Sequence, residues 1–101
     1  MTLEAKIKRI IKTGKVELGT EKTLKNIINK KVKAVVIAEN IPLDKKELIE
    51  KYAKLNEIPV VTFKGSSLEL GTVCGKPFLV ASLSIIDNGD VKLKELTEEQ
   101  E

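Results

Sequence analysis

The chain of 101 residues contains no histidine and no tryptophan, and its one cysteine is Cys74. A lone cysteine cannot form an intramolecular disulfide, so an exported fold stapled by disulfides is excluded. Without histidine the commonest acid–base catalyst is missing, and a zinc site lacks its usual ligands. Aromatic residues make up only 3% of the chain, namely Tyr52, Phe63 and Phe78. Any surface on which rings stack must therefore be small. No apolar run comes near the ~20 residues that span a bilayer, and Glu4, Lys6, Lys8 and Arg9 interrupt any secretory apolar core at the start. A cytosolic protein with no membrane partner is expected. Neither GxGxxG nor GxxxxGK[ST] occurs, and there is no nucleophile elbow or carboxylate pair at a motif spacing. No catalytic set, cofactor or metal site is expected.

What is abundant is lysine. The 18 basic residues face 15 acidic ones, and all but one of the basic residues are lysine. Four of the acidic residues (Glu95, Glu98, Glu99 and Glu101) fall in the last seven positions. Residues 1–94 thus keep all 18 basic side chains against 11 acidic ones, a balance of +7. A basic body with an acidic tail suits a polyanionic partner. Richness in lysine, glutamate and isoleucine is also common in heat-adapted proteins. The length and the 42% apolar content fit one domain with one core, predicted at 1–94 with a mobile acidic tail at 95–101.

The most informative stretch is Lys33 to Pro42, KAVVIAENIP. Its five consecutive apolar residues, Ala34 to Ala38, predict a strand covered on both faces. In open α/β folds, ligands bind beyond the carboxyl ends of central strands, which directs attention to Glu39 and Asn40. Before this strand, Leu3, Ile7, Ile10 and Ile11 predict a first helix ending at Gly14, and Val16 and Leu18 a short strand. Thr20 is expected to cap a second helix with Leu24, Ile27 and Ile28 as its buried stripe. After it, Asp44 and Glu47 form a capping-box pattern opening a third helix, with Leu48, Ile49, Tyr52, Ala53 and Leu55 as its core face. Val60 to Phe63 predicts a third strand, and Ser66 with Glu69 caps a short fourth helix through Leu68, Leu70 and Val73. A fourth strand is expected over Leu79 to Ile86, closed by an Asp87–Asp90 turn, and Val91 to Leu96 is compatible with a strand or a helical turn. Alternating helices and strands give the class α/β: a three-layer α/β/α sandwich with a four-stranded mixed sheet.

Three stretches carry groups suited to binding. Gly19, Thr20 and Glu21 lead from a strand into a helix whose free N–H groups attract phosphate, with Lys22 and Lys25 adding charge; the alternative is a plain glycine turn before a lysine-coated helix. Glu39 and Asn40 end the central strand near Lys45 and Lys46. Asn40 can present a donor and an acceptor to a base edge, or else fold into an Asx-turn before Pro42. Gly71, inside a helical pattern, costs about 1 kcal/mol relative to alanine and so signals a close backbone approach, by protein or by ligand. Lys76 and Phe78 follow, placing an ammonium beside a ring; the alternative for Phe78 is the core of the fourth strand. Cys74 reads as a small buried apolar residue.

The segments TGKVELG with TEKTLK, AVVIAENIP, KKELIEKYAKL, SLELGTVCGKPF and SIIDNGD resemble the kink-turn RNA-binding superfamily named for ribosomal protein "L-seven-Ae". The ELGTxxGK pattern at Glu69 to Lys76 and IIDxGD at Ile85 to Asp90 are most similar to its large-subunit ribosomal branch, "L-thirty-e", found in archaea and eukaryotes. The resemblance implies an α/β/α fold, no catalysis, and residence in the large ribosomal subunit of the cytoplasm beside other ribosomal proteins, with a monomer in isolation. It also implies contacts to a sharply bent internal loop of ribosomal RNA. By position, Gly19 would allow close backbone approach, and Lys22, Lys25, Lys45 and Lys46 would meet phosphate. Asn40 would read a base and Phe78 would stack on one. The superfamily often carries an Asn–Glu pair two and three residues after the glycine, where this chain has Glu21 and Lys22. Two other readings stand beside this one: a component of another RNA-processing particle, and a small phospho-ligand-binding α/β domain using the helix terminus at Gly19.

Overall fold

The computed structural model describes residues 3–97. Nine elements follow in order: α1 (Leu3–Thr13), β1 (Lys15–Leu18), α2 (Thr20–Ile28), β2 (Ala34–Ala38), α3 (Leu43–Leu55), β3 (Val60–Phe63), α4 (Ser67–Val73), β4 (Ser82–Asp87) and α5 (Leu93–Thr97). The four strands form one mixed sheet in the order β1-β4-β2-β3. β2 runs parallel to β3, while β4 is antiparallel to both β2 and β1.

Every residue of β2 is buried, and its alternate side chains serve two cores. Ala34, Val36 and Ala38 pack with Ile7, Ile10, Leu70 and Leu96 from α1, α4 and α5. Val35 and Ile37 pack with Ile27, Ile49 and Ala53 from α2 and α3. A strand covered twice has no wet face, so its sequence does not alternate. The expected α/β/α sandwich with a four-stranded mixed sheet is the observed architecture.

β4 is equally central but reads differently. Leu83 and Ile85 join the α1 side, whereas Ser82 and Ser84, both fully buried, face α2. Asn26 donates to the Ser84 hydroxyl at 3.0 Å, Ser84 donates to the Glu17 carbonyl, and Thr20 meets the Ser82 hydroxyl at 3.1 Å. α2 is thus seated on the sheet partly through hydrogen bonds. That rotates its inner face to Thr23, Asn26 and Ile27, leaving Leu24 half-buried and Ile28 exposed, against the expected stripe of Leu24, Ile27 and Ile28.

Other expectations shift for local reasons. The N-cap of α2 is Gly19, and Thr20 is the first helical residue. α3 begins at Leu43, one residue before the expected capping box, and neither Pro42 nor Asp44 supplies a side-chain cap. Its buried line is Ile49 and Ala53 with Tyr52 beside them, while Leu48 and Leu55 face outward. Leu68 of α4 is exposed as well. Ser66 does cap α4, accepting from the Glu69 N–H at 3.2 Å. β4 starts at Ser82, three residues later than expected, so Leu79 stays outside the sheet. Val91 to Leu96 resolves as a turn and α5. Leu96 is fully buried and the Glu95 carbonyl accepts from Lys6 Nζ at 2.8 Å, so the packed body continues past residue 94. The rest of the expected acidic tail, 98–101, lies outside the described residues.

Candidate nucleic-acid interface

The strand directions decide which loops are neighbours. β1, β2 and β3 point the same way and β4 points back. The β1–α2, β2–α3 and β3–α4 turns and the segment entering β4 therefore share one end of the sheet. Backbone hydrogen bonds tie them together: Gly19 N–H to the Ser82 carbonyl (2.9 Å), Ala38 N–H to the Ala81 carbonyl (2.8 Å) and Glu39 N–H to the Gly65 carbonyl (3.0 Å). Gly19, Asn40 and Phe78, which lie in three separate turns, stand on this one rim.

Gly19 has φ 107° and ψ 147°, close to a region that only glycine enters freely. The space a Cβ would occupy is open. The turn thus exposes bare backbone next to the first N–H groups of α2, with Lys22 exposed on its first turn and Lys25 exposed in its last. Thr20 is held inward by Ser82, and Glu21 is exposed.

Asn40 is exposed, and its side-chain oxygen accepts from the Ser67 N–H at 2.8 Å, across 27 residues of chain. This bond replaces the local Asx-turn. It satisfies one of the unpaired N–H groups that open α4 and leaves the amide NH2 pointing to no partner among the described residues. One of the oxygen's two lone pairs is therefore taken, while both NH2 donors are left for a base acceptor. Glu39 beside it is exposed, as are Lys45 and half-exposed Lys46 in the first turn of α3.

Gly71 is buried in α4, and a Cβ there would lie 2.1 Å from the Phe78 carbonyl oxygen. The close approach it signals comes from the protein's own backbone. Gly71 shapes the rim without lining it, a correction to its expected place among the contact residues. The 76–80 segment is pinned at both ends, Lys76 N–H to the Gly71 carbonyl (2.9 Å) and Val80 N–H to the Ser67 carbonyl (3.0 Å). Between these anchors Lys76 and Phe78 project outward. Phe78 is 52% exposed, which removes the alternative that it begins the core of β4.

Leu79, 64% exposed, is a rim residue that sequence reasoning assigned to the strand; nothing in an apolar run ending in SIID marks where pairing begins. An open groove of about 630 Å³ runs from this segment to the outer edge of β1, its lining including Leu18, Gly19, Lys22, Lys76, Phe78 and Leu79. It is apolar at its floor and lysine-bearing at its mouth. Cys74 also borders it; burial pushes its thiol pKa up, only partly countered by the Lys76 charge, which favours the neutral thiol. Among the described residues no cluster of three or more metal-ligating side chains exists, and no helix is long and apolar enough to cross a membrane.

Residues 1–95 match the model of the ribosomal protein L7Ae/L30e/S12e/Gadd45 family. The chain belongs to this family. It is 50% identical over 96 residues to the large ribosomal subunit protein eL30 of Methanothermobacter thermautotrophicus, covering 95% of this chain and 98% of that one. It is 46% identical to the protein of the same name from Methanocaldococcus jannaschii, covering 100% and 92%. To that of Saccharolobus solfataricus it is 44% identical, covering 99% and 93%. The family match spans all the turns of the rim, so the likeness covers the site as well as the cores.

Proposed function

We propose that this chain is a structural constituent of the large ribosomal subunit that grips a sharply bent, kink-turn-like internal loop of ribosomal RNA with the rim. It catalyses nothing. Full-length similarity to eL30 proteins supports the ribosomal placement. The observation that carries the RNA reading is the convergence of Gly19, Asn40 and Phe78 on one end of a rigid sheet. Bases splayed out at a bend can be stacked and hydrogen-bonded, whereas the deep groove of paired RNA admits no side chains.

Each group has a distinct task. The bare backbone at Gly19 and the N-terminus of α2 receive phosphate, assisted by Lys22 and Lys25. The Asn40 amide donates to a base acceptor while its oxygen holds the rim together. Lys45, Lys46 and Lys76 contact the backbone. Phe78 stacks on an unpaired base, with Leu79 extending the apolar surface.

Four to six phosphate contacts give a slope of log affinity against log salt of roughly −3 to −5. The test is binding of an internal-loop RNA by the full chain between 50 and 200 mM salt, together with co-sedimentation with large subunits in high salt. Affinity indifferent to salt refutes the phosphate contacts. Loss from the large subunit in high salt, with retention on another RNA particle, transfers the same rim to that assembly.

A further inference from the structure

The rim is not where lysine is least balanced. Its cations are interleaved with the carboxylates of Glu21, Glu39, Asp44 and Glu69. At the opposite end of the sheet, α1, α2 and α3 finish and β1 and β2 begin. Lys12, Lys15, Lys30, Lys31, Lys33 and Lys54 gather there. All six are exposed, and none forms an ion pair within the described residues. Glu17, two residues along β1 from Lys15, together with Glu57, Asp87 and Asp90, opposes them. Of these, Asp87 accepts from the Gly89 N–H at 2.9 Å and Asp90 pairs with Arg9 at 3.8 Å.

This pole is rigid. Lys30, with φ 56°, closes α2 through its N–H to the Ile27 carbonyl, Lys31 N–H bonds the Asn26 carbonyl, and Lys33 N–H bonds the Ile85 carbonyl at 2.7 Å. Lys15 pairs with Asp87 across the sheet. It and Lys33 therefore flank β4 from either side, about 10 Å apart at two strand spacings. Tyr52, two residues before Lys54, is half-buried against the α2–α3 core. Gly14, between Lys12 and Lys15, is closed off by the Asp87 carbonyl. The pole therefore offers charge without an exposed ring or an open glycine turn among these lysines. Such a surface holds phosphates without reading bases.

We infer that this lysine pole, Lys30, Lys31 and Lys33 with Lys15 at its centre, is a second RNA-binding surface that takes the phosphate backbone of a double-helical segment. The body measures 29 × 25 × 25 Å between Cα extremes, so the protein bridges two RNA segments about that far apart, one read at the rim and one held at the pole. The bridge rests on the rim reading; the pole itself does not.

The experiment measures binding of a 20-base-pair RNA duplex without an internal loop, across a salt series. The proteins are the full chain, the triple variant Lys30→Gln/Lys31→Gln/Lys33→Gln, the double variant Lys15→Gln/Lys33→Gln and Phe78→Ala. Circular dichroism confirms that each is folded. The triple variant is expected to lower the steepness of the salt dependence by roughly 2–3, at about 0.9 per lost phosphate contact, and the double variant by about half to two thirds of that. Phe78→Ala should leave duplex binding unchanged. In a second arm, protein saturated with internal-loop RNA should still take up the duplex, giving a 1:1:1 complex by sedimentation. Unchanged slopes in both lysine variants overturn the pole, as does displacement of one RNA by the other, or equally tight binding of an acidic peptide of matched charge. Duplex binding that depends on the pole, in a protein that ignores the internal-loop RNA, supports the pole and refutes the rim.

Discussion

Replacing Gly71 by alanine sets two effects against each other. In a helix interior alanine is favoured over glycine by about 1 kcal/mol, so propensity alone predicts a more stable protein. The new methyl, however, would start 2.1 Å from the Phe78 carbonyl oxygen, an atom of backbone that cannot rotate away. Restoring even the shortest tolerable contact takes a displacement of about 1 Å, and overpacking of this kind costs roughly 1–3 kcal/mol. The net expectation is a loss of up to about 2 kcal/mol in chemical denaturation. The larger consequence is for binding, because the segment pushed aside is the one pinned by Lys76 to Gly71 and by Val80 to Ser67. If that shift unseats the ring, Gly71→Ala should lose the affinity that Phe78→Ala loses, roughly 1–3 kcal/mol for one stacked base. Titration of both variants with the same internal-loop RNA measures this, and the double variant should be little worse than either alone. A stabilised Gly71→Ala protein with native RNA affinity would refute the reasoning, since it would mean that the approach to Phe78 exerts no constraint.

Three further outcomes follow from individual groups. Thr23 Oγ1 is buried without a hydrogen-bond partner, so Thr23→Val should be neutral or stabilising by about 1 kcal/mol in denaturant titration; a clear loss would reveal a partner for the hydroxyl. Asn40→Asp keeps the acceptor for the Ser67 N–H and removes the NH2 donors, so stability should hold while RNA affinity falls about tenfold or more through a lost hydrogen bond and an added negative charge. Unaltered affinity would take Asn40 out of base reading. Because burial raises the Cys74 pKa above its ordinary value of 9.0, the neutral thiol is favoured in the folded state. Its contribution is intact below that ordinary value and declines as pH rises through the folded value. Cys74→Ala should therefore flatten the stability profile on that alkaline side, and identical profiles would show that the thiol does not titrate there.

The fold was legible wherever burial leaves a one-sided pattern. The unbroken Ala34 to Ala38 run announces a central strand, and Gly14, Gly75 and the Asp87–Asp90 turn punctuate the chain at the observed ends. Reading failed where polar groups pack inward. Asn26 and Ser84 bury a hydrogen bond between α2 and β4, so an apolar stripe could not show which way α2 is turned. Being apolar, Leu48 and Leu55 read as a core face and Leu79 as the start of a strand, yet folded surfaces carry many apolar atoms and a single leucine decides little. At the rim, residue types pointed to Gly19, Asn40 and Phe78. What no local pattern contains is the partner of each group: that Asn40 spends its oxygen on Ser67, and that Gly71 answers Phe78 across the α4–β4 connection. The lysine pole was equally out of reach, because Lys15 and Lys33 come together only through the antiparallel pairing of β4 with both neighbours.

The most direct test of the rim is a backbone amide chemical-shift titration with a short internal-loop RNA whose stems are too brief to reach the far pole. The largest changes are expected at Gly19 to Lys22, Glu39 to Asn40 and Lys76 to Val80, with the amides of α5 and of Asn29 to Lys33 little altered. Changes centred on the outer faces of α2 and α3, with Gly19, Asn40 and Phe78 unmoved, would contradict it.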